Sequence, residues 1–99
     1  MSSAPIDQLL SACETGDLST VRAVLHTNPH LINQHDTDGG FPLYWSCQYG
    51  HLPVTRFLLQ SSAQINQTTV PEKQSALWTA SLNGQSETVT LLIECGAQV

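Results

Sequence analysis

The chain repeats itself at a period of about 34 residues. Gly16, Gly50 and Gly84 are evenly spaced at this interval, and Asn33 and Asn66 are separated by nearly the same interval. Each copy contains two short segments with helical apolar spacing, and polar linkers rich in turn-forming residues join the copies. One such unit cannot bury both of its apolar stripes alone. The period therefore predicts a solenoid in which three copies stack into one continuous core.

Proline and glycine residues mark the limits of six predicted helices. The first opens around Pro5 and ends at Gly16, and the second is capped by Asp17 and stopped by Pro29. The other four are predicted at 42–49, 52–60, 76–83 and 86–94. Residues 31–33 are predicted to be a short extended segment.

Two repeat architectures have this period. Tetratricopeptide repeats consist of two longer helices without a polar linker, whereas ankyrin repeats carry the linker as a β-hairpin finger. The polar segments 34–40 and 67–74 favour the second architecture, because the first contains two aspartates and two glycines and the second contains Pro71.

Four short motifs carry a resemblance to the ankyrin-repeat family, whose repeat contains Thr-Pro-Leu-His, Gly-His, a double leucine and a Gly-Ala-Asp-Val-Asn exit. The middle copy has Phe41-Pro42-Leu43-Tyr44, Gly50-His51, Leu58-Leu59 and Ser62-Ala63-Gln64-Ile65-Asn66. The chain thus resembles that family over nearly its whole length. The resemblance implies an all-α ankyrin solenoid of stacked helix-turn-helix units with β-hairpin or loop fingers. Its expected divisions are an N-terminal capping repeat at 1–33, a second repeat at 34–67 and a third at 68–99.

The chain departs from the family pattern at both the threonine and the histidine of the first motif, where the middle copy has Phe41 and Tyr44. The family histidine is replaced by Leu10, Tyr44 and Trp78. The hydroxyl–imidazole hydrogen bond between adjacent repeats is therefore expected to be absent, with aromatic packing in its place. The last copy shows no polar cap, and Val99 stops where another repeat would begin. We expect its apolar surface to be covered, either within a longer array or by a homodimer that pairs end to end.

Charge restricts the classes of partner. Three basic residues stand against eight acidic ones, for a net charge of −5. A basic face for nucleic acid cannot be assembled, and anionic membranes are equally disfavoured. The start of the chain lacks the pattern of a signal peptide, and three cysteines fit a reducing compartment. These features predict the cytoplasm, or the nucleus.

Catalytic and metal sites find little support in the residue pattern. Cys13 and Cys47 fall on inward helical positions and are interpreted as core residues. His26, His30 and His35 have a metal-like spacing, but Pro29 interrupts the helix and no further ligands complete a tetrahedral set. We interpret the three as solvated histidines. The chain is predicted not to be an enzyme and to hold no cofactor or metal.

The resemblance implies that a protein or peptide binds to a concave face made of finger tips and inner helices. Aromatic residues favour such contacts, and the acidic side chains of the fingers favour a basic partner. Asp36 has the alternative role of capping its finger, and Trp78 is predicted to pack a finger onto the helices. The candidate partner-binding residues are Thr37, Asp38, Trp45, Gln48, Tyr49, Glu72, Gln74, Leu82 and Asn83.

Two further alternatives remain open. In the resembled family the exit asparagine can be hydroxylated, and Asn33 and Asn66 occupy that position. A hydrogen-bonding role within the finger is the preferred interpretation of both. The alternative to a binding module is a structural terminal segment of a larger ankyrin-containing scaffold or of a multidomain enzyme such as a kinase.

Overall fold

A computed structural model describes residues 4–97. The predicted repeat limits at residues 1 and 99 lie outside this range. Within it, all six predicted helices are present, and helices three and five each end one residue earlier than predicted. The elements are α1 (Pro5–Thr15), α2 (Leu18–Thr27), a 3₁₀ segment (Pro29–Asn33), α3 (Pro42–Gln48), α4 (Leu52–Gln60), α5 (Ala76–Leu82) and α6 (Ser86–Glu94).

Local signals account for where the helices begin and end. Pro5 and Pro42 occupy the first turns of α1 and α3, where their missing N–H costs no helical hydrogen bond. The carboxylate of Asp17 caps α2 by accepting the Thr20 amide at 3.2 Å and the Thr20 hydroxyl at 2.6 Å. The hydrogen bond from the Thr20 hydroxyl also lowers the pKa of Asp17. The predicted cap at Asp17 is therefore confirmed.

The helices form two layers. The first helices of the three pairs, α1, α3 and α5, lie side by side as an inner layer, and α2, α4 and α6 form an outer layer behind them. The core runs between the layers. Residues at equivalent positions of successive copies fill it, as Leu58 and Leu92 show by being fully buried. The fold is an all-α solenoid, as the sequence predicts.

Residues 31–33 are not extended, and this prediction was wrong. They belong to the 3₁₀ segment, which Pro29 opens because its fixed φ suits a tight turn. The Leu31 amide donates to the Asn28 carbonyl at 3.1 Å, and the Gln34 amide donates to the Leu31 carbonyl at 3.1 Å. The turn places the Leu31 side chain in the core, where it is 5% exposed.

The two linkers are loops in the structure. In the first finger (residues 34–41), the Asp36 amide donates to the Gly40 carbonyl at 2.8 Å. The second finger (residues 67–75) contains one isolated antiparallel bridge, between Thr68 and Ser75, and residues 4–97 contain no strand. The fingers also contact each other, since the Val70 amide donates to the Gly39 carbonyl at 3.0 Å.

Candidate partner-binding surface

Asp36 organises the first finger. One carboxylate oxygen accepts the amides of Asp38 and Gly40 at 2.8 and 2.9 Å, and the other accepts the Trp45 indole N–H at 2.9 Å. The interpretation of Asp36 as a finger cap is confirmed. Both of its oxygens are engaged, so its carboxylate is committed to holding the finger against α3.

Trp45 and Tyr49 form a stacked aromatic pair on the inner layer. Their rings are stacked, with centroids 6.3 Å apart and planes inclined by 15°. Trp45 is half-buried because Asp36 and the first finger hold it, whereas Tyr49 is 50% exposed. The Tyr49 ring therefore rests on a fixed support and presents its other face outward.

Three of the candidate residues connect neighbouring repeats. The side-chain oxygen of Gln48 accepts the hydroxyl of buried Thr79 at 2.7 Å. The backbone carbonyl of Gln48 accepts the side-chain amides of Asn83 at 3.1 Å and Gln85 at 3.0 Å. Gln74 is half-buried and accepts the Tyr44 hydroxyl at 3.0 Å. Gln48, Gln74 and Asn83 thus stabilise the stack in addition to any contact with a partner.

Tyr44 replaces the family histidine within this interface. Its ring lies 5.8 Å from that of Phe41 and 5.2 Å from that of Trp45, measured between centroids. Aromatic packing at this position is confirmed for Tyr44. The hydroxyl group adds a hydrogen bond to Gln74 that the sequence alone did not reveal.

The remaining polar candidates lie at the finger tips. Thr37 and Asp38 are exposed on the first finger, and Glu72 is exposed on the second. Glu14, at the end of α1, is exposed as well. We call the surface formed by the two fingers and the exposed residues of the inner helices the finger side. The three acidic side chains give it an excess of negative charge.

Leu82 and Trp78 lie together at the end of the stack. Leu82 is 67% exposed and Trp78 is 44% exposed. With Val89 and Ile93 they line an apolar hollow of about 650 Å³, which we call the end face. The prediction that Trp78 packs a finger onto the helices was wrong. Trp78 is equivalent to Tyr44, whose hydroxyl donates to Gln74 of the following copy; among residues 4–97 no further copy packs against Trp78 in the same way.

His35 is not a solvated histidine, so this interpretation was wrong. It is half-buried, and its Nε2–H donates to the Thr68 carbonyl of the second finger at 2.8 Å. Its ring meets the edge of Phe41 with centroids 5.7 Å apart. His26 and His30 are exposed. The separation of His35 and Thr68 by one repeat length was the available signal, because it links equivalent points of adjacent fingers.

Asn33 takes part in a similar link. Its side-chain oxygen accepts the Gln64 amide at 2.9 Å, and its carbonyl accepts the Gln67 side-chain amide at 2.6 Å. Asn66 is exposed and also takes part in a polar contact. The bonds of Asn33 agree with the preferred hydrogen-bonding interpretation.

Cys13 and Cys47 are poorly placed to act as nucleophiles. Burial raises the pKa of Cys13 to about 12 and that of Cys47 to about 11, so both thiols are protonated at neutral pH. In the part of the chain from 4 to 97, no three His, Cys, Asp or Glu side chains are grouped so that they could hold a metal ion. The helices of that part are also too short or too polar to cross a bilayer.

The interlocked fingers and paired helix layers agree with a direct sequence comparison. The family model "Ankyrin repeats (3 copies)" matches residues 9–99. The chain belongs to the ankyrin-repeat family. Members of this family are interaction modules built by stacking.

Several ankyrin-containing relatives are much longer than this chain. A probable 26S proteasome regulatory subunit p28 of Saccharomyces cerevisiae is 34% identical over 79 residues, which is 80% of this chain and 32% of the relative. A probable E3 ubiquitin-protein ligase XBOS32 of Oryza sativa is 36% identical over 99 residues, 98% of this chain and 20% of the relative. Scaffold protein ILK of Homo sapiens is 33% identical over 61 residues, 62% of this chain and 14% of the relative. The chain therefore spans less than a third of each.

Proposed function

We propose that this ankyrin chain is a non-catalytic module that binds a protein or peptide on its finger side. The observation that carries the proposal is the exposure of Tyr49, at 50%, on the supporting ring of Trp45. Supported, half-exposed aromatic rings are typical of interface hot spots, because little conformational entropy is lost when a partner covers them.

The charge of the finger side indicates the character of the partner. Asp38, Glu72 and Glu14 are exposed, whereas both carboxylate oxygens of Asp36 already accept hydrogen bonds from the finger and from Trp45. A partner that carries Lys or Arg beside an apolar anchor would match this surface. We propose that Thr37 and Asp38 contact it from the first finger, and that Glu72 does so from the second.

The test compares wild type with the double variant Tyr49→Ala/Leu82→Ala. Both chains are immobilised in equal amounts, and proteins retained from cytosolic extract are quantified by mass spectrometry. Loss of a hot spot costs about 2 kcal/mol, or roughly 30-fold in Kd. Specific partners should therefore disappear from the double variant and bind wild type directly when purified.

A matched control comes from the opposite side of the molecule. Arg22→Gln/Arg56→Gln also changes two exposed residues, but on the outer layer. This variant should retain the same partners. Equal capture by wild type and Tyr49→Ala/Leu82→Ala would contradict the proposal and favour a structural terminal segment of a larger scaffold or of a multidomain enzyme such as a kinase.

We also propose that the end face is a self-association surface. Trp78, Leu82 and Ile93 are between 44% and 67% exposed there, and the residues lining the hollow carry no charge. A second copy of the chain can cover this surface by an isologous contact. The resulting homodimer would pair the two stacks end to end.

The cellular site proposed for the chain is the cytoplasm or the nucleus. Cys13 and Cys47 are free, buried thiols, as is usual in a reducing compartment.

Hydroxylation of Asn33 and Asn66 remains a proposal of the family resemblance. Intact mass of the chain purified from its native cell tests it, since each hydroxylation adds the mass of one oxygen atom.

A further inference from the structure

The two arginines of the chain occupy the same point of successive outer helices. Arg22 in α2 and Arg56 in α4 are separated by one repeat length, as Gly16 and Gly50 are. Both are exposed, and they are two of only three basic residues in a chain with eight acidic ones. Helices α2 and α4 therefore carry two basic residues and no acidic residue, in a protein whose net charge is −5.

A furrow between α2 and α4 connects these arginines. Its first part, of about 370 Å³, is lined by both arginines together with Leu18, Leu52, Pro53, Phe57 and Gln60. Its second part, of about 640 Å³, continues past Arg22 and Phe57 to His26 and Ile32. We call this surface the arginine furrow. Its walls are largely apolar and include no carboxylate.

The Arg22 guanidinium is held in place without being neutralised. Its central carbon lies 5.2 Å from the centre of the Phe57 ring. Stacking on an aromatic ring uses the flat face of a guanidinium and leaves the N–H groups at its edge available for a carboxylate. Among residues 4–97, Arg22 and Arg56 form no ion pair. Glu87 and Glu94 border the far side of Arg56, in a separate hollow against α6.

We propose that the arginine furrow binds an acidic amphipathic helix of a protein partner, which lies across α2 and α4. Neighbouring helices pack about 10 Å apart, so two arginines on adjacent outer helices are separated by about that distance. Two turns of a helix rise about 11 Å, so a helix in this crossing orientation places carboxylates at positions i and i+7 opposite the two guanidinium groups. Leucine-like side chains between them fit the apolar walls. Charge complementarity selects this occupant, because the finger side is acidic and the furrow is basic.

The chain would then have two binding surfaces that prefer partners of opposite charge. A basic partner on the finger side and an acidic helix in the furrow occupy different helix layers. The chain would then act as an adaptor that holds both at once. The furrow proposal is independent of the proposed finger-side function, because it depends on other residues.

The test uses a displayed library of random peptides selected on the intact 99-residue chain. Binders are sorted by their affinity for wild type and for Arg22→Gln/Arg56→Gln. The proposal expects a class that binds the double variant at least tenfold more weakly, is enriched in Asp and Glu at positions i and i+7, and weakens as salt is raised. Synthetic members of this class should gain helical circular dichroism on binding.

Two controls separate this result from loss of folding and from the finger-side site. Arg22 and Arg56 are exposed and the double variant loses only the contact of Arg22 with Phe57, so the fold should persist with an unfolding temperature lowered by about 5 °C at most. Tyr49→Ala/Leu82→Ala should bind the acidic class as wild type does. The proposal is overturned if no binder depends on the arginines, if dependent binders show no acidic enrichment, or if the finger-side variant loses them equally.

Discussion

At the scale of single residues, Gly39 is the most constrained point of the fingers. Its φ is +83°, and a Cβ added there would lie 1.8 Å from the Val70 carbonyl oxygen. Gly84 has a similar φ of +67°, but a Cβ there would meet nothing within 4 Å. Alanine substitutions at these two glycines therefore separate the cost of a left-handed backbone, which both share, from the cost of pushing the two fingers apart, which only Gly39 has.

We predict that Gly39→Ala destabilises the chain more than Gly84→Ala. Both place an L side chain in the left-handed region, at about 1 kcal/mol each. Gly39→Ala must in addition displace Val70 and lengthen the Gly39–Val70 hydrogen bond, which adds at least about 1 kcal/mol. Urea unfolding of the two variants measures the difference. Equal midpoints would show that the fingers move apart without cost.

The buried thiols are a second residue-scale feature. The ordinary pKa of a cysteine thiol is 9.0, and desolvation is the main cause that raises the pKa to about 12 at Cys13 and about 11 at Cys47. Between pH 9 and 11 the unfolded chain loses these protons while the folded chain keeps them. The unfolded state then binds fewer protons, so stability falls as pH rises.

We predict that each buried thiol lowers the free energy of unfolding by about 1 kcal/mol per pH unit in that window. Cys47→Ala should lower the slope by one thiol's share, because it removes one of the two buried thiols. Comparing variants removes the contribution of other groups that titrate at high pH. Urea unfolding at several pH values across the window provides the slopes, and an unchanged slope in Cys47→Ala would contradict the prediction.

At the scale of elements, α3 and α5 are joined by polar side chains as well as by their apolar faces. The Thr79 hydroxyl is buried and donates to Gln48. The position equivalent to Gln48 in the last copy is Leu82, which has no hydrogen-bonding group. The same repeat position is therefore polar inside the stack, where Gln48 pairs with Thr79, and apolar at the end of the stack, where Leu82 is exposed.

A double-mutant cycle on Gln48 and Thr79 should show coupling of about 1 kcal/mol. Gln48→Leu leaves the buried Thr79 hydroxyl without this acceptor, Thr79→Val leaves the half-buried Gln48 side chain without this donor, and the double variant removes both groups. Removing both partners costs less than the sum of the single changes. Thermal unfolding of the four chains gives the coupling, and strictly additive effects would show that the hydrogen bond contributes nothing to the stack.

Local signals were sufficient for the helices and insufficient for contacts between copies. Pro42, Gly50 and Asp17 act within one turn of the backbone, so their effects can be read from neighbouring residues. His35 and Gln74 act on residues 33 and 30 positions away. Their roles depend on the exact register of the two fingers. Trp78 was misassigned because it lies on the end face, where it is 44% exposed and no other helix pair among residues 4–97 covers it.

At the scale of the whole molecule, the two ends of the stack bury different amounts of their helices. The inner helix α3 is flanked by α1 and α5, whereas α1 and α5 each have an inner helix on one side only among residues 4–97. At the last end, α6 buries only Thr88 and Leu92, whereas α2 at the first end buries Val21, Val24 and Leu25. In a solenoid, stability is the sum of each repeat and its contacts with neighbours. The last helix pair therefore has the least support.

We predict that backbone amides of α5 and α6 exchange hydrogen faster than those of the first four helices in dilute solution. Ile93 is 48% exposed on the end face and Val70 is 50% exposed on the second finger, so Ile93→Glu and Val70→Glu form a matched pair. On concentration, end-to-end pairing should slow exchange in α5 and α6 of wild type and Val70→Glu, but not of Ile93→Glu. Exchange rates that do not change with concentration would rule out a homodimer through the end face.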